Sequence, residues 1–384
     1  MKIVHICLCG AMTDDLNYQE NIITKYHKKM GLDVTIIASQ WIWDKNGKKI
    51  RTDRTHYFNQ DGIKVIRLPI RRGSVDNRLK VYIGLYQSIV NEKPDILFIH
   101  DCQFLDIIAL TRYAKNHPNV RIYVDNHVDY SNGAHGWLSK NILHKGLWRY
   151  CVHKIEPYVT KFYGVLPSRV EFLQEMYALS AEKCELLVMG ADDELVQEAA
   201  NSQVRTSIRS KYHIAEDDFL VMTGGKIDAF KSQTLFLMEA VQRIQNQKVK
   251  LIVFGPVTEE LRDEVNRLSD GRKIQSIGWI QAKDSYRYFA AADLIVFPGR
   301  HSVFWEQVAG QGIPMLVKDW PGTHHVDLGG NVHFLKEDSV EEIQREIEIL
   351  INKPEEYRKM KSVAVEKGMT AFSYSEIARK SILI

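Results

Sequence analysis

Val4-His5-Ile6-Cys7-Leu8-Cys9-Gly10 and Phe219-Leu220-Val221-Met222-Thr223-Gly224-Gly225-Lys226 decide the fold. Each is an apolar run that passes into a glycine loop and then into a helical pattern. In the first, Ile3, Val4, Ile6 and Leu8 put apolar groups on both faces, as in a central strand of a parallel sheet. The run is too short for a secretory signal and no small-residue cleavage site follows, so it reads as a buried strand.

Outward from these two openings, apolar β-rich runs alternate with helical patterns. Strands are expected near 2–8, 33–38, 62–67, 95–99, 120–124, 162–166 and 185–189, then near 219–223, 249–254, 274–277, 293–297, 314–317 and 332–335. Helices are expected at 18–30, 77–91 and 104–115, and at 232–246, 257–268, 283–291, 303–311 and 340–351. Such alternation gives parallel sheets covered by helices. So many strands overfill one open sheet. The expectation is an α/β protein of two Rossmann-like, doubly wound domains facing across a cleft, with ligands at the carboxyl ends of the strands. The seam falls in the polar stretch Asp192 to Ser207, giving domains at 1–195 and 196–365. Ser339 with Glu342 and Ser373 with Glu376 fit capping boxes. Gly312 followed by Pro314 ends the helix that carries Glu306.

Composition narrows the function. The chain has 384 residues, 45% hydrophobic and 26% charged, which excludes a disordered or collagen-like protein. A net charge of +3 with no basic tail argues against nucleic acid as partner. Five scattered cysteines point to a reducing, cytoplasmic setting. No apolar run reaches the length of a membrane span.

Four constellations carry chemistry. Gly224-Gly225-Lys226, with Lys231 beyond it, lets backbone approach a phosphate and brings two cations to neutralise a diphosphate. A tight turn with two solvated lysines explains the same residues. Arg300-His301-Ser302-Val303-Phe304-Trp305-Glu306 follows a strand, and Glu306 on its apolar helix suits the two hydroxyls of a ribose. A carboxylate paired at a helix start is the plainer alternative. Asp125, His127 and Asp129 share one face if the chain stays extended; they suit a sugar pocket, and without a fourth ligand they make a weak metal site. Gly329, Gly330 and Asn331 close a glycine-rich loop, Gly322 to Asn331, whose amides could nest an anion. Adjacent His324 and His325 are poorly placed to ligate one ion, and no metal is expected. The first loop, Cys9 to Asp15, lacks G-x-G-x-x-G, and no acid follows the second strand, both against a dinucleotide oxidoreductase.

Together these residues resemble a GT-B glycosyltransferase of the family 4 type, over nearly the whole chain. His301 to Gln307 and His325 to Asn331 resemble a bacterial branch serving capsular, exopolysaccharide or O-antigen synthesis. The resemblance implies retaining, metal-independent transfer from a UDP- or GDP-sugar, with no cofactor, to a glycan or lipid-linked acceptor. It implies that Lys226 and Lys231 grip the diphosphate, that Glu306 holds the ribose, and that His127 lies near the donor sugar. Gly10 and Ala11, Gly224 and Gly225, Arg300, His301, Ser302, Val303 and Phe304, and Gly329, Gly330 and Asn331 would line the donor; Asp125 and Asp129 would contact sugar or acceptor. The tail, 366–384, would cross back to the first domain. The chain departs from the family's E-x7-E motif, because Pro298 stands where its first glutamate belongs; Arg300 or His301 fills that region. A 2-epimerase of the same fold and a non-catalytic nucleotide-sugar binder fit the same residues. A basic stretch (Arg67, Arg71, Arg72, Arg78, Lys80) and His144 to Arg149 are expected on the surface, for peripheral contact with the inner membrane face.

Overall fold

The computed structural model describes residues 1–44, 48–71, 79–229 and 232–383. The chain divides into two compact units, Met1–Val188 with Ile377–Ile384, and Met189–Glu376.

In the first unit the strands are β1 (Lys2–Cys7), β2 (Asp33–Ser39), β3 (Trp41–Trp43), β4 (Lys49–Arg51), β5 (His56–Phe58), β6 (Lys64–Leu68), β7 (Ile96–His100), β8 (Arg121–Asn126), β9 (Val159–Gly164) and β10 (Cys184–Leu186). Eight of them form one sheet in the order β10-β9-β8-β7-β1-β2-β6-β5, parallel except for the edge strand β5. β1 is central: Ile3 lies opposite Val34 of β2 and Ile96 of β7. Ile3, Val4 and Ile6 are wholly buried, which is why their run shows no polar alternation. Helices Gln19–Lys29, Leu85–Glu92, Ile107–Asn116 and Pro167–Tyr177 supply much of the cover. Because β1, β7 and β8 are neighbours, the loops after them open at one end of the sheet.

The second unit holds β11 (Phe219–Gly224), β12 (Val249–Phe254), β13 (Ile274–Ser276), β14 (Leu294–Phe297), β15 (Met315–Lys318) and β16 (Val332–Leu335), all parallel, in the order β13-β12-β11-β14-β15-β16. The strand order reverses between β11 and β14, the switch point where doubly wound sheets take ligands. The loops opening from that point are the ones that carry Lys226 and Glu306.

The two doubly wound sheets expected from the alternation are present. β3, β4 and β5 are additions: they are short and mostly exposed, so no apolar run announces them. The polar stretch from Asp192 is helix rather than linker. Asp192 accepts from the Glu194 amide and Asn201 from the Gln203 amide, capping helices Asp193–Ala199 and Ser202–Lys211. Ser339 accepts from the Glu342 amide as expected, but the Glu342 carboxylate turns to the amides of Lys336 and Glu337. Gly312 ends the Glu306 helix with φ +66. The last helix, Tyr374–Ser381, starts at Ser373, whose Oγ accepts from the Glu376 amide, and its end docks on the first unit, where Tyr123 Oη donates to the Ile382 carbonyl at 2.9 Å.

Arg67 is not a surface cation. It is buried and donates to the Met12 and Ser39 carbonyls at 3.0 and 2.9 Å and to Tyr57 Oη at 2.8 Å. Arg72 and Arg78 lie outside the described residues.

The second unit rests on one buried cation. Arg209 donates to the Ala215 and Asp218 carbonyls, each at 2.6 Å, and to Ala291 at 3.2 Å, and pairs with Asp293 at 3.4 Å. Replacing it removes one shared donor from the Ala215, Asp218 and Ala291 carbonyls and from the Asp293 carboxylate together. Arg209→Met is expected to lower stability by about 3–5 kcal/mol, measured by urea unfolding.

Candidate functional site

In the second unit, Glu306 is fully buried in the short helix Phe304–Gly310 after β14. His301 Nε2 lies 2.8 Å and His325 Nε2 2.9 Å from its Oε1. Burial alone would raise the carboxyl; the two imidazoles outweigh it and hold Glu306 well below the usual carboxylate range. Glu306 Oε2 and His325 Nδ1 are buried without a partner. His301 packs edge-on to Trp305 at 5.0 Å, and the Arg300 guanidinium lies 5.5 Å from the Trp320 ring. The Ser302 and Val303 carbonyls start the helix, accepting from Trp305 and Gln307, while Phe304 joins Phe254, Phe289 and Phe297. In the segment that departs from E-x7-E, His301 turns to the remaining glutamate and Arg300 to Trp320.

The glycine loop after β11 serves the chain's own packing. A Cβ on Gly224 would strike the Phe254 ring, and one on Gly255 the Gly225 carbonyl. Gly225 has φ +121 and donates to the Phe254 carbonyl at 3.0 Å. Lys226 is exposed, with Nζ 3.3 Å from Asp228 Oδ2. Lys231 lies outside the described residues.

The expected anion nest gives way to an internal turn. The Gly329 and Gly330 amides both donate to Asp327 Oδ1, at 3.1 and 2.7 Å. Asn331 is buried and pins the loop, accepting from Leu328 N at 2.6 Å and donating to the Val326 carbonyl at 2.9 Å. His324 and His325 diverge, His324 meeting Asp319 at 2.6 Å.

In the first unit, Asp125 ends β8, fully buried. Its Oδ2 takes His100 Nδ1 at 2.8 Å and Gln19 Nε2 at 3.3 Å, with His127 Nε2 at 3.4 Å; its Oδ1 takes the Asp101 amide at 3.2 Å. Desolvation opposes its charge, yet His100 and His127 hold the carboxyl far below its usual range. For His127 burial works downward, but the Asp125 carboxylate prevails and raises it to about 9. The shared face expected for Asp125, His127 and Asp129 ends with the strand. Asp129 sits in a turn, its Oδ1 accepting from Ser131 N at 2.7 Å and its Oδ2 facing Arg169 Nε at 3.4 Å. Gly10 is exposed with open space where a Cβ would stand, and Ala11 follows it half-buried.

Residue patterns alone gave no sign of Asp101. It holds φ +63, a conformation non-glycine residues seldom adopt, and accepts the His127 amide at 2.7 Å. Among the described residues, two triads have metal-ligand composition, His100-Asp125-His127 and His301-Glu306-His325. In each, the histidines stand at hydrogen-bonding or ion-pair distance from the carboxylate. They are ion pairs.

A helical stretch missed by periodicity runs from Gly136 through Ile155, with wider i→i+5 turns over Ser139–Trp148. His144 and Trp148, expected outside, are buried. The winding leaves Trp137, Leu138, Ile142 and Tyr150 exposed instead, at 70%, 66%, 58% and 54%. Lys140, Lys145 and Lys154 are exposed beside them, and the stretch contains no acid.

Residues 217–353 match the family model described as glycosyl transferases group 1. The matched residues lie within the second unit. The GT-B fold extends over the whole chain. A glycosyltransferase from Rickettsia africae superposes with TM-score 0.68 at 13% identity, covering 100% of this chain and 97% of that one. HepE of Anabaena, solved with UDP, gives 0.69 at 14% identity, covering 99% and 98%. The UDP-GlcNAc 2-epimerase of Neisseria meningitidis, bound to UDP-GlcNAc, gives 0.63 at 13% identity and full coverage of both chains. A search of curated protein sequences finds no match. Glu306 and Lys226 both fall inside the matched residues. No helix among the described residues is long and apolar enough to cross a membrane.

His127 gives a pH test. Its folded value, about 9, exceeds the ordinary 6.5, so its stabilising contribution is complete below 6.5 and fades as pH rises through about 9. The stability gap between wild type and His127→Gln, followed by denaturant unfolding, is expected to close across that window.

Proposed function

We propose that the chain is a retaining, metal-independent glycosyltransferase. It moves a sugar from a UDP- or GDP-sugar to a glycan or lipid-linked acceptor in cell-surface polysaccharide synthesis. One observation carries the reading: inside the residues that match the glycosyltransferase family, Glu306 is held ionised by two histidines while its buried Oε2 lacks a partner. A ribose hydroxyl would supply the missing donor. HepE is solved with UDP and with UDP-glucose, which favours a uridine donor here.

In this reading Lys226 leaves Asp228 for the diphosphate, Lys231 joins it, and Arg300 to Phe304 line the nucleotide. As the glycosidic bond breaks, negative charge grows on the departing phosphate. Cations placed there stabilise that charge more than they stabilise the intact donor, and so lower the barrier. His127, cationic at neutral pH, attends the transferred sugar. No carboxylate is assigned as a nucleophile, so the acceptor attacks from the leaving-group face, which retains configuration.

The helical stretch 136–155 is the membrane contact. Its exposed aromatic and aliphatic groups suit the headgroup boundary, and its lysines suit anionic lipid.

Thermal-shift screening against UDP, GDP, CMP and dTDP sugars identifies the donor by its rise in melting temperature. Lys231→Ala is expected to lower turnover by about 10²–10³-fold, and EDTA to leave it unchanged. Near wild-type turnover in a folded Lys231→Ala protein overturns the diphosphate assignment. Product analysis without acceptor separates transfer from 2-epimerisation. The double variant Trp137→Asp, Leu138→Asp is expected to stop flotation with anionic vesicles, and equal flotation of the variant rejects the helix as the contact.

A further inference from the structure

Three buried histidines stand in a row behind Asp125. His100 Nδ1 meets Asp125 Oδ2 at 2.8 Å, His100 Nε2 meets His5 Nδ1 at 3.0 Å, and His5 Nε2 meets His27 Nδ1 at 3.0 Å. At the far end, His27 Nε2 meets the Ala378 carbonyl at 3.1 Å and Ser381 Oγ at 3.0 Å. His5, His27, Asp125 and Ser381 are fully buried, and His100 nearly so. They come from β1, the helix Gln19–Lys29, β7, β8 and the C-terminal helix.

Proton counting constrains the row. A carbonyl oxygen only accepts, so His27 Nε2 donates to Ala378. Ser381 Oγ donates to that same carbonyl at 2.8 Å, which leaves only its lone pairs toward His27. The other end is a carboxylate, also an acceptor. Four links in series, with acceptors at both ends, need four protons. Three neutral imidazoles carry three.

We propose that the His27-His5-His100 row holds one proton beyond the neutral count whenever the C-terminal helix is docked, placing a positive charge on the same Asp125 oxygen that faces His127. Because His27 Nε2 donates to Ala378, His27 Nδ1 accepts from His5 Nε2 and His5 Nδ1 from His100 Nε2, so the donor order places the extra proton between His100 and Asp125. Burial, which pushes His5 well down and His27 to about 4, disfavours a second proton on either. The titratable and charged groups around the row are Asp125, Asp101 and His127 at one end, Cys7 on β1, Glu20 on the first helix and Arg67; Phe98 packs on His5, His27 and His100. Burial pushes the Cys7 thiol well up, which keeps it neutral. His100, His5 and His27 are thus positioning residues: they share out the charge of Asp125 and so set how strongly it holds the His127 proton. The consequence for the reaction rests on the reading of His127 given above; the proton count does not.

Nitrogen-15 NMR of histidine-labelled full-length protein tests the count without substrate. At about pH 7.5, the expected spectrum has His100 protonated on both nitrogens and His5 and His27 protonated on Nε2 only. Three neutral rings protonated on Nδ1 overturn the proposal. In His27→Phe the third and fourth links are gone, and the remaining two, served by two neutral rings, need no extra proton. The His127 titration midpoint is then expected to rise by about one pH unit, because Asp125 loses its other cation. A midpoint that stays or falls overturns the coupling to His127. Since ring protonation is read without glycosyl transfer, an absent activity refutes the enzyme reading and leaves the row standing.

Discussion

A carboxylate taken out of water must be met by donors, and each unit is organised around one that is. In the first unit Asp125 collects His100, His127, Gln19 and the Asp101 amide. In the second, Glu306 collects His301 and His325. The penalty for an ionised group in low dielectric is large, so these partners are conditions for folding as much as for chemistry. Asp125 stands at the carboxyl end of a strand and Glu306 in the helix that follows one, which ties these costly charges to the connections available for ligands.

The glycines show how function and packing share residues. Gly225 and Gly255 are required by the approach of two backbones, and the amides of Gly329 and Gly330 already serve Asp327. A glycine-rich loop therefore reads equally well as anion cradle or as internal turn. At Gly10, by contrast, nothing among the described residues stands where a side chain would.

The parallel strands were legible because burial on both faces leaves compact apolar runs, as in Ile3 to Leu8 and Leu220 to Met222. Glu306 was legible because an acid on an apolar helix is conspicuous, and His301 lies five residues away. His325 and the row through His5, His27 and His100 were not, since no spacing links residues brought together only by sheet order. The stretch Gly136 to Ile155 escaped because its buried positions follow wide turns instead of the usual helical period. β3 to β5 escaped because they bury little.

The return of Ile377–Ile384 to the first unit has a consequence for biosynthesis. Chains grow from the amino terminus, and early domains ordinarily fold while later ones are still being made. Here the amino-terminal half lacks its partners for His27 and Tyr123 until residues 378–382 have been made. That half therefore completes its packing only after the second unit, Met189–Glu376, has been synthesised.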